Sequence, residues 1–264
     1  MRSYYTSSTL FAFKYSTGII IATDTQLSYG RLNKNEVNKI FILGDDISKS
    51  RNTVSVKNER IIKESGNICK NITMISSTGE YSDTQYLLKE LKKENINTNN
   101  TLTPQGYHRY LQRIMYSKRS NMKNINNNII VAGIEVNKKE GSKENVFDHN
   151  KINIHTVDNT VNRKDNFNER LFLGAVDYRG NFFYSAVLSF GIGAYIVTPY
   201  LRSLDLENTD KDKALDAAIE GLRLLYYRCT QSSNKVQIAV MDETGYEIIE
   251  ELIDGQWELG RNVV

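Results

Sequence analysis

The sequence predicts an α+β protein: two antiparallel sheets packed face to face between helix layers, a four-layer αββα sandwich. Two observations carry this reading. Strand-like and helix-like segments come in blocks (strands, two helices, strands, two helices, strands) rather than in the strict alternation of a parallel α/β sheet. Several of the strands are almost continuously apolar, as expected of strands covered on both faces.

The first element is Thr9-Leu10-Phe11-Ala12-Phe13-Lys14-Tyr15, rich in aromatic and β-favouring residues. A turn at Ser16-Thr17-Gly18 leads into Ile19-Ile20-Ile21-Ala22-Thr23, so the two form a hairpin. Ile72 to Ser76 is a further strand. Ser82 with Gln85 three residues on resembles a capping box, and Tyr86, Leu87 and Leu91 continue at helical spacing. Thr103-Pro104 opens a second helix, with an N-cap and a proline at the first helical position, whose stripe is Tyr107, Tyr110, Leu111, Ile114 and Met115. These two helices are expected side by side. Strands follow at Ile129–Ile134, Leu171–Val176 and Phe182–Val187, the last two as a hairpin around Asp177-Tyr178-Arg179-Gly180. Helices at Ala194–Leu204 and Lys211–Tyr227 precede a closing hairpin of Val236–Val240 and Tyr246–Ile249.

Two polar stretches, Asp45 to Lys70 and Asn137 to Glu169, are rich in Asn, Lys and Asp and read as inserted surface loops. The organisation is then one domain over residues 1–250, with insertions at about 45–70 and 137–169, and a C-terminal tail over 251–264.

Composition narrows the function classes. In 264 residues a formal charge of +3, with Lys and Arg scattered among Asp and Glu, is too small an excess for a nucleic-acid binder. Two cysteines, Cys69 and Cys229, offer neither a disulfide framework nor a metal-ligand spacing. With only three histidines, His108, His149 and His155, a zinc site is not expected. No cofactor motif is present. No segment approaches the roughly eighteen uninterrupted apolar residues of a membrane span, and Met1 to Ser8 does not have the apolar run of a secretory signal. The expected location is cytoplasm and nucleus.

The run Phe11-Ala12-Phe13-Lys14-Tyr15, then Gly18, then Ile19-Ile20-Ile21-Ala22-Thr23-Asp24, resembles the opening of proteasome β subunits. So does Ser77-Thr78-Gly79-Glu80-Tyr81-Ser82-Asp83. Four further strings occur in order: Ser28-Tyr29-Gly30; Met115 to Met122; Gly191-Ile192-Gly193-Ala194-Tyr195; and Leu225-Tyr226-Tyr227-Arg228. Together with Gln256-Trp257-Glu258-Leu259 they are similar to the family's non-catalytic members at the seventh position of the β ring. The resemblance implies the N-terminal nucleophile hydrolase-like fold. It also implies a place between two β neighbours, beneath the α ring and against the opposite β ring, in a particle that serves ubiquitin-dependent protein degradation.

Active members of that family use an N-terminal Thr as nucleophile, freed by cleavage after a Gly. Its own amine or a nearby water is the base, a Lys and an Asp tune the site, and a second Asp with two Ser steadies the amine. Carried over residue by residue, the nucleophile position falls on Ser8, preceded by Ser7 and not by Gly. The first Asp is Asp24 and one Ser is Ser232; the Lys is Lys39 with one residue deleted after Gly30, which the Ile-Phe that follows favours, and the position falls on Ile40 without that deletion. Ile192 stands where the other Ser belongs, and Cys229 where the second Asp belongs. An Ile cannot hydrogen-bond an ammonium, and a thiol supplies no fixed negative charge. The expectation is therefore a structural and assembly subunit with no catalytic residue of its own. The alternative is an active peptidase using Ser8.

Plainer readings stand beside each residue. Asp24 suits a turn hydrogen bond, Lys39 a structural ion pair with Asp24, Ser8 a loop or strand start, and Cys229 packing at a helix end. His108 is expected at the surface or at a subunit contact. The tail, Leu252 to Val264 with the single Trp257, is expected to clasp β subunits of the opposite ring.

Overall fold

The computed structural model describes residues 5–7, 9–30, 32–44, 55–57, 60–66, 72–135 and 170–255. Two antiparallel sheets lie face to face. The first, sheet A, has eight strands in the order β12-β11-β10-β9-β1-β4-β5, with β6 also paired to β9; the second, sheet B, has seven in the order β13-β2-β3-β14-β15-β8-β7. In chain order the strands are β1 (Tyr5–Ser7), β2 (Thr9–Tyr15), β3 (Gly18–Asp24), β4 (Gln26–Tyr29), β5 (Leu32–Glu36), β6 (Ile40–Leu43), β7 (Ser55–Lys57), β8 (Arg60–Gly66), β9 (Thr73–Glu80), β10 (Asn127–Ile134), β11 (Leu171–Val176), β12 (Phe182–Tyr184), β13 (Val187–Gly191), β14 (Lys235–Asp242) and β15 (Gly245–Leu252). The helices are α1 (Tyr81–Asn97), α2 (Pro104–Ser120), α3 (Gly193–Arg202) and α4 (Lys211–Arg228).

The four layers follow from the two-residue alternation of strand side chains. On β2, Phe11, Phe13 and Tyr15 face α3 and α4, where they join Val197, Leu201, Leu222 and Leu225. The alternate residues Leu10 and Ala12 face the opposite sheet and meet Met74, Ile130, Ala132 and Leu173. On sheet A, β10 divides in the same way, with Ile130 and Ala132 inward and Ile129 and Val131 outward beneath Leu91, Tyr107, Leu111 and Met115 of α1 and α2. Being covered on both sides is why β2 and β3 read as nearly unbroken apolar runs.

Several expectations are corrected. Phe182–Val187 is not one strand. β12 stops at Tyr184 on β11, and β13 starts at Val187 on β2 of the other sheet, so the chain changes sheets at Ser185-Ala186. An apolar run cannot report this, because both sheets present buried faces. The capping box at Ser82 does not form: Glu80 is the N-cap of α1 and its side chain accepts from no helix N–H, taking instead the Ser82 hydroxyl, whose Oγ donates to Glu80 Oε1 at 2.6 Å. At α2 the expected cap is present, with Gly106 N donating to Thr103 Oγ1 at 3.1 Å. Part of the first polar stretch is sheet and not loop. β8 pairs with β15 and β7 with β8, because an open sheet edge offers backbone hydrogen bonds whatever the side-chain pattern. β15 runs past the expected end at Ile249 to Leu252, and Ile253 still packs in the sheet-B core.

His108 is the largest reversal. It is fully buried, with Nε2 3.0 Å from the Ala175 carbonyl oxygen, among the rings of Phe172, Phe182 and Tyr184 at 5.1 to 5.9 Å. It lies next to Tyr107 on the sheet side of α2, and the small Gly174 on β11 leaves room for its ring. The second polar stretch and the Trp257 segment lie outside the described residues.

Candidate active-site region

The chain crosses twice between the sheets at one place. β1 belongs to sheet A and β2 to sheet B, while β3 belongs to sheet B and β4 to sheet A. The β2–β3 hairpin pairs Tyr15 with Gly18 and Leu10 with Thr23. Continuing that register puts Thr9 opposite Asp24 at the crossing. Thr23 Oγ1 donates to the Thr9 carbonyl at 2.7 Å, which fastens the two strands there.

Asp24, with no exposed surface, is the hub. Thr9 Oγ1 donates to Asp24 Oδ1 at 2.5 Å and Lys39 Nζ donates to the same oxygen at 2.8 Å. Gln26 N approaches the other oxygen at 3.3 Å. Both plain readings of the sequence hold at once: Asp24 closes the local turn and forms a buried ion pair with Lys39. The main chain of Lys39 is held from two distant strands. Its N–H donates to Gln237 Oε1 of β14 at 3.0 Å, and its carbonyl accepts from Ser76 Oγ of β9 at 2.8 Å. Burial pushes the Lys39 ammonium below the ordinary lysine pKa; the Asp24 charge and hydrogen bond oppose that shift, as does the nearby Cys229 thiol.

The other family positions are distributed as follows. Cys229 is buried at the C-terminal end of α4, within electrostatic reach of Lys39. Ser232 is half-buried, and its N–H donates to the Cys229 carbonyl in the turn that follows. Ile192 stands half-exposed just ahead of α3, following Gly191 at φ 68°. Ser8 lies outside the described residues. The structure therefore brings together Asp24, Lys39 and Thr9, with Cys229 nearby. Thr9 was not singled out in the sequence, although the two-residue turn at Ser16-Thr17 fixes a register that places it across from Asp24.

Chemically the cluster holds a hydroxyl, a carboxylate and an ammonium. The Thr9 proton is directed at a carboxylate that Lys39 already engages, and the Thr9 nitrogen is an amide. Among the described residues there is no group of His, Cys, Asp and Glu that could hold a metal ion, and no helix is long and apolar enough to cross a membrane.

A double antiparallel sandwich between helix pairs, with a buried Asp–Lys pair beside the start of its first long strand, is the architecture of an N-terminal nucleophile hydrolase-like fold. No family model matches the chain. Across an alignment of 266 positions that covers 98% of this chain and 96% of the relative, it is 32% identical to a protein from Encephalitozoon cuniculi named probable proteasome subunit beta type-7. It is also similar to proteasome subunit beta type-4 of Xenopus laevis, at 25% identity over 92% of this chain and 80% of the relative. Proteasome subunit beta type-7 of Saccharomyces cerevisiae is 27% identical over 90% and 74%. The chain belongs to the proteasome β-subunit family.

Proposed function

We propose that this chain is a non-catalytic β subunit of the 20S proteasome core, one that builds the β ring without cleaving peptides. The observation that carries this is β1. Residues 5–7 pair on both edges, with β4 and with β9, immediately before Thr9. A nucleophile of this kind needs its own free amine, and residues paired into the sheet ahead of it keep its nitrogen acylated for as long as they stay attached. The Ile192 and Cys229 replacements support the same reading, since an Ile offers an ammonium no hydrogen bond and a thiol does not carry the fixed charge of the carboxylate it replaces.

The exposed aromatics and cations supply candidate ring contacts. Tyr116 is exposed at the end of α2 with Arg119 over its ring, and Tyr195 on α3 is 84% exposed. Aromatic and Arg residues are enriched where protein surfaces meet. The neighbours proposed are β subunits of the same ring, α-ring subunits, and β subunits of the opposite ring through the Trp257 tail, in cytoplasm and nucleus.

The deciding experiment is intact-mass measurement of the chain from native particles, combined with an irreversible inhibitor of N-terminal nucleophiles. A chain that keeps residues ahead of Ser8 and takes no label is expected. A chain that begins at Ser8 and is labelled would make it the active peptidase instead. The tail is tested by truncation after Gly255, which spares Leu252 and Ile253 of the sheet-B layer; double rings of unchanged stability would remove the clasp.

A further inference from the structure

β12 is a three-residue edge strand. It pairs with β11 alone, in the register Gly174–Tyr184, Ala175–Phe183 and Val176–Phe182, and its three aromatic side chains are 40 to 50% exposed. Both ends of this arm are fixed. At the turn, Asp177 accepts from Arg179 N, Asn181 N and Asn181 Nδ2 at 2.8 to 2.9 Å. Gly180, at φ 82°, lies so close to α2 that a Cβ there would sit 2.9 Å from Tyr116 N. At the other end the Ala186 carbonyl accepts from Lys14 N of β2 at 2.9 Å. Between these two points the arm can bow outward but cannot detach.

The middle of the arm rests on His108. Tyr184 and Phe182 lie against its ring at 5.1 and 5.9 Å, and Phe172 of β11 at 5.4 Å. The Ala175 carbonyl can only accept, so Nε2 carries the proton and Nδ1 is the lone-pair nitrogen of a neutral ring. Nδ1 is buried, and among the described residues nothing hydrogen-bonds to it. A second proton there would make a buried cation with a stranded N–H. The ionisable groups of the surrounding elements offer that cation no partner. Arg109 on α2 and Arg179 in the turn are cations themselves, and Tyr107 and Tyr184 are phenols. The one carboxylate of the β11–β12 hairpin, Asp177, is taken up by the turn. Burial foremost opposes protonation of the ring; the Ala175 bond works against that, and the Arg109 charge adds to it.

The wall that yields to such a charge is the one least held. β11 is paired on both edges and α2 is set in the core by Tyr107, Leu111 and Met115, whereas β12 is paired on one edge only. We propose that His108 is an acid-operated latch on β12: the neutral ring pins Phe182 and Tyr184 against α2, and the protonated ring takes up water and lets the arm bow off the β11 edge. Opening hydrates Nδ1 and bares the β11 edge from Gly174 to Val176. It also pulls on Phe183, which packs edge-on against Phe190 of β13, so the movement reaches sheet B just ahead of α3. The latch is independent of how the amino terminus is processed.

The test is hydrogen–deuterium exchange, read by peptide mass spectrometry on the full chain in assembled particles and corrected for the intrinsic pH dependence of amide exchange. A histidine on the open arm titrates near pH 6.5 and one on the closed arm lower, so between about pH 7.5 and about pH 5.5 opening should rise about tenfold. Peptides covering residues 171–184 should show that step, and those covering β9, β10 and α4 should not. His108→Gln, which still donates to Ala175 but takes up no proton, should abolish it. Phe182→Ala keeps the histidine but admits water to it, so closed and open arms titrate more alike and the step should shrink about threefold or more. No step in the unchanged chain, a step that survives in either variant, or an equal step in β9 and β10 would overturn the latch.

Discussion

The two helix layers cover their sheets by different means. Beneath α3 and α4 the centre of the contact is apolar: Phe11, Phe13, Val197, Leu201, Ala218, Leu222 and Leu225 interlock with Ile238 and Val240, with a Ser189–Thr198 hydroxyl pair at the margin. Gly221 lets α4 approach until a Cβ there would meet the Phe11 ring at 3.1 Å. Beneath α1 and α2 the apolar patch is threaded with buried polar pairs. Tyr107 donates to Asn95 at 2.5 Å, Asn127 fans out to Ser77, Thr84 and Glu80, and His108 reaches Ala175. A dry layer is stabilised by area and is indifferent to pH. A polar-threaded layer adds little net stability per hydrogen bond, but each lost partner leaves a buried group stranded. The first should fail by cavity and the second by orphaned donors or by protonation.

The Asp24–Lys39 pair carries the polar strategy to its limit, and its disruption should give the largest effect. Asp24→Asn leaves Lys39 buried against a neutral partner, and urea unfolding should show a loss of about 3–5 kcal/mol. Because burial already depresses the Lys39 pKa, adding Lys39→Met should restore part of that loss, so the double variant is less destabilised than the sum of the singles. Additive losses would mean that the pair is not coupled.

In the dry layer, Leu222→Ala should cost about 2–5 kcal/mol by unfolding, with no change in the pH profile. In the threaded layer, Asn127→Ala takes one donor from each of Ser77, Thr84 and the Glu80 carbonyl near the start of α1 and should cost about 1–3 kcal/mol. Hydrogen exchange should then quicken in α1 but not in α4.

The smallest effect is also the most discriminating. Burial first, and the Arg109 charge to a lesser extent, lower the His108 pKa, while its bond to Ala175 opposes the shift. The unfolded chain therefore binds a proton below about pH 6.5 that the folded chain refuses. Stability is complete above that pH and falls as pH drops, by at most about 1.4 kcal/mol per unit until the folded histidine titrates. His108→Gln, which can still donate to Ala175, should flatten the acid limb of a stability–pH curve. An unchanged limb would place the acid sensitivity elsewhere.

The apolar frame of both layers was legible in the sequence and the polar threading of one of them was not. Alternating or continuous apolar runs announce β2, β3, β10 and α4, because burial selects residue type directly. His108 is polar on a helix face where Tyr107 and Leu111 also lie, and only Gly174 and Ala175 on a distant strand explain its burial. β1 and β8 escaped notice because main-chain pairing, which leaves no side-chain signature, holds them. Within the candidate site, Asp24 and Lys39 were visible through a family resemblance. Thr9 lay one residue from the position chosen, and Gln237, which fixes Lys39, is 198 residues away from it.

The double sheet crossing at Thr9 and Asp24 has a mechanical consequence. The strands β1 to β4 form a ribbon whose two ends, β1 and β4, are woven into sheet A and whose middle, the β2–β3 hairpin, is woven into sheet B, stitched at the bend by Thr9, Thr23 and Asp24. Neither sheet can open without tugging the other. Pulling on the amino-terminal segment should therefore meet the resistance of the whole sandwich, and the molecule should yield in one step rather than peel layer by layer.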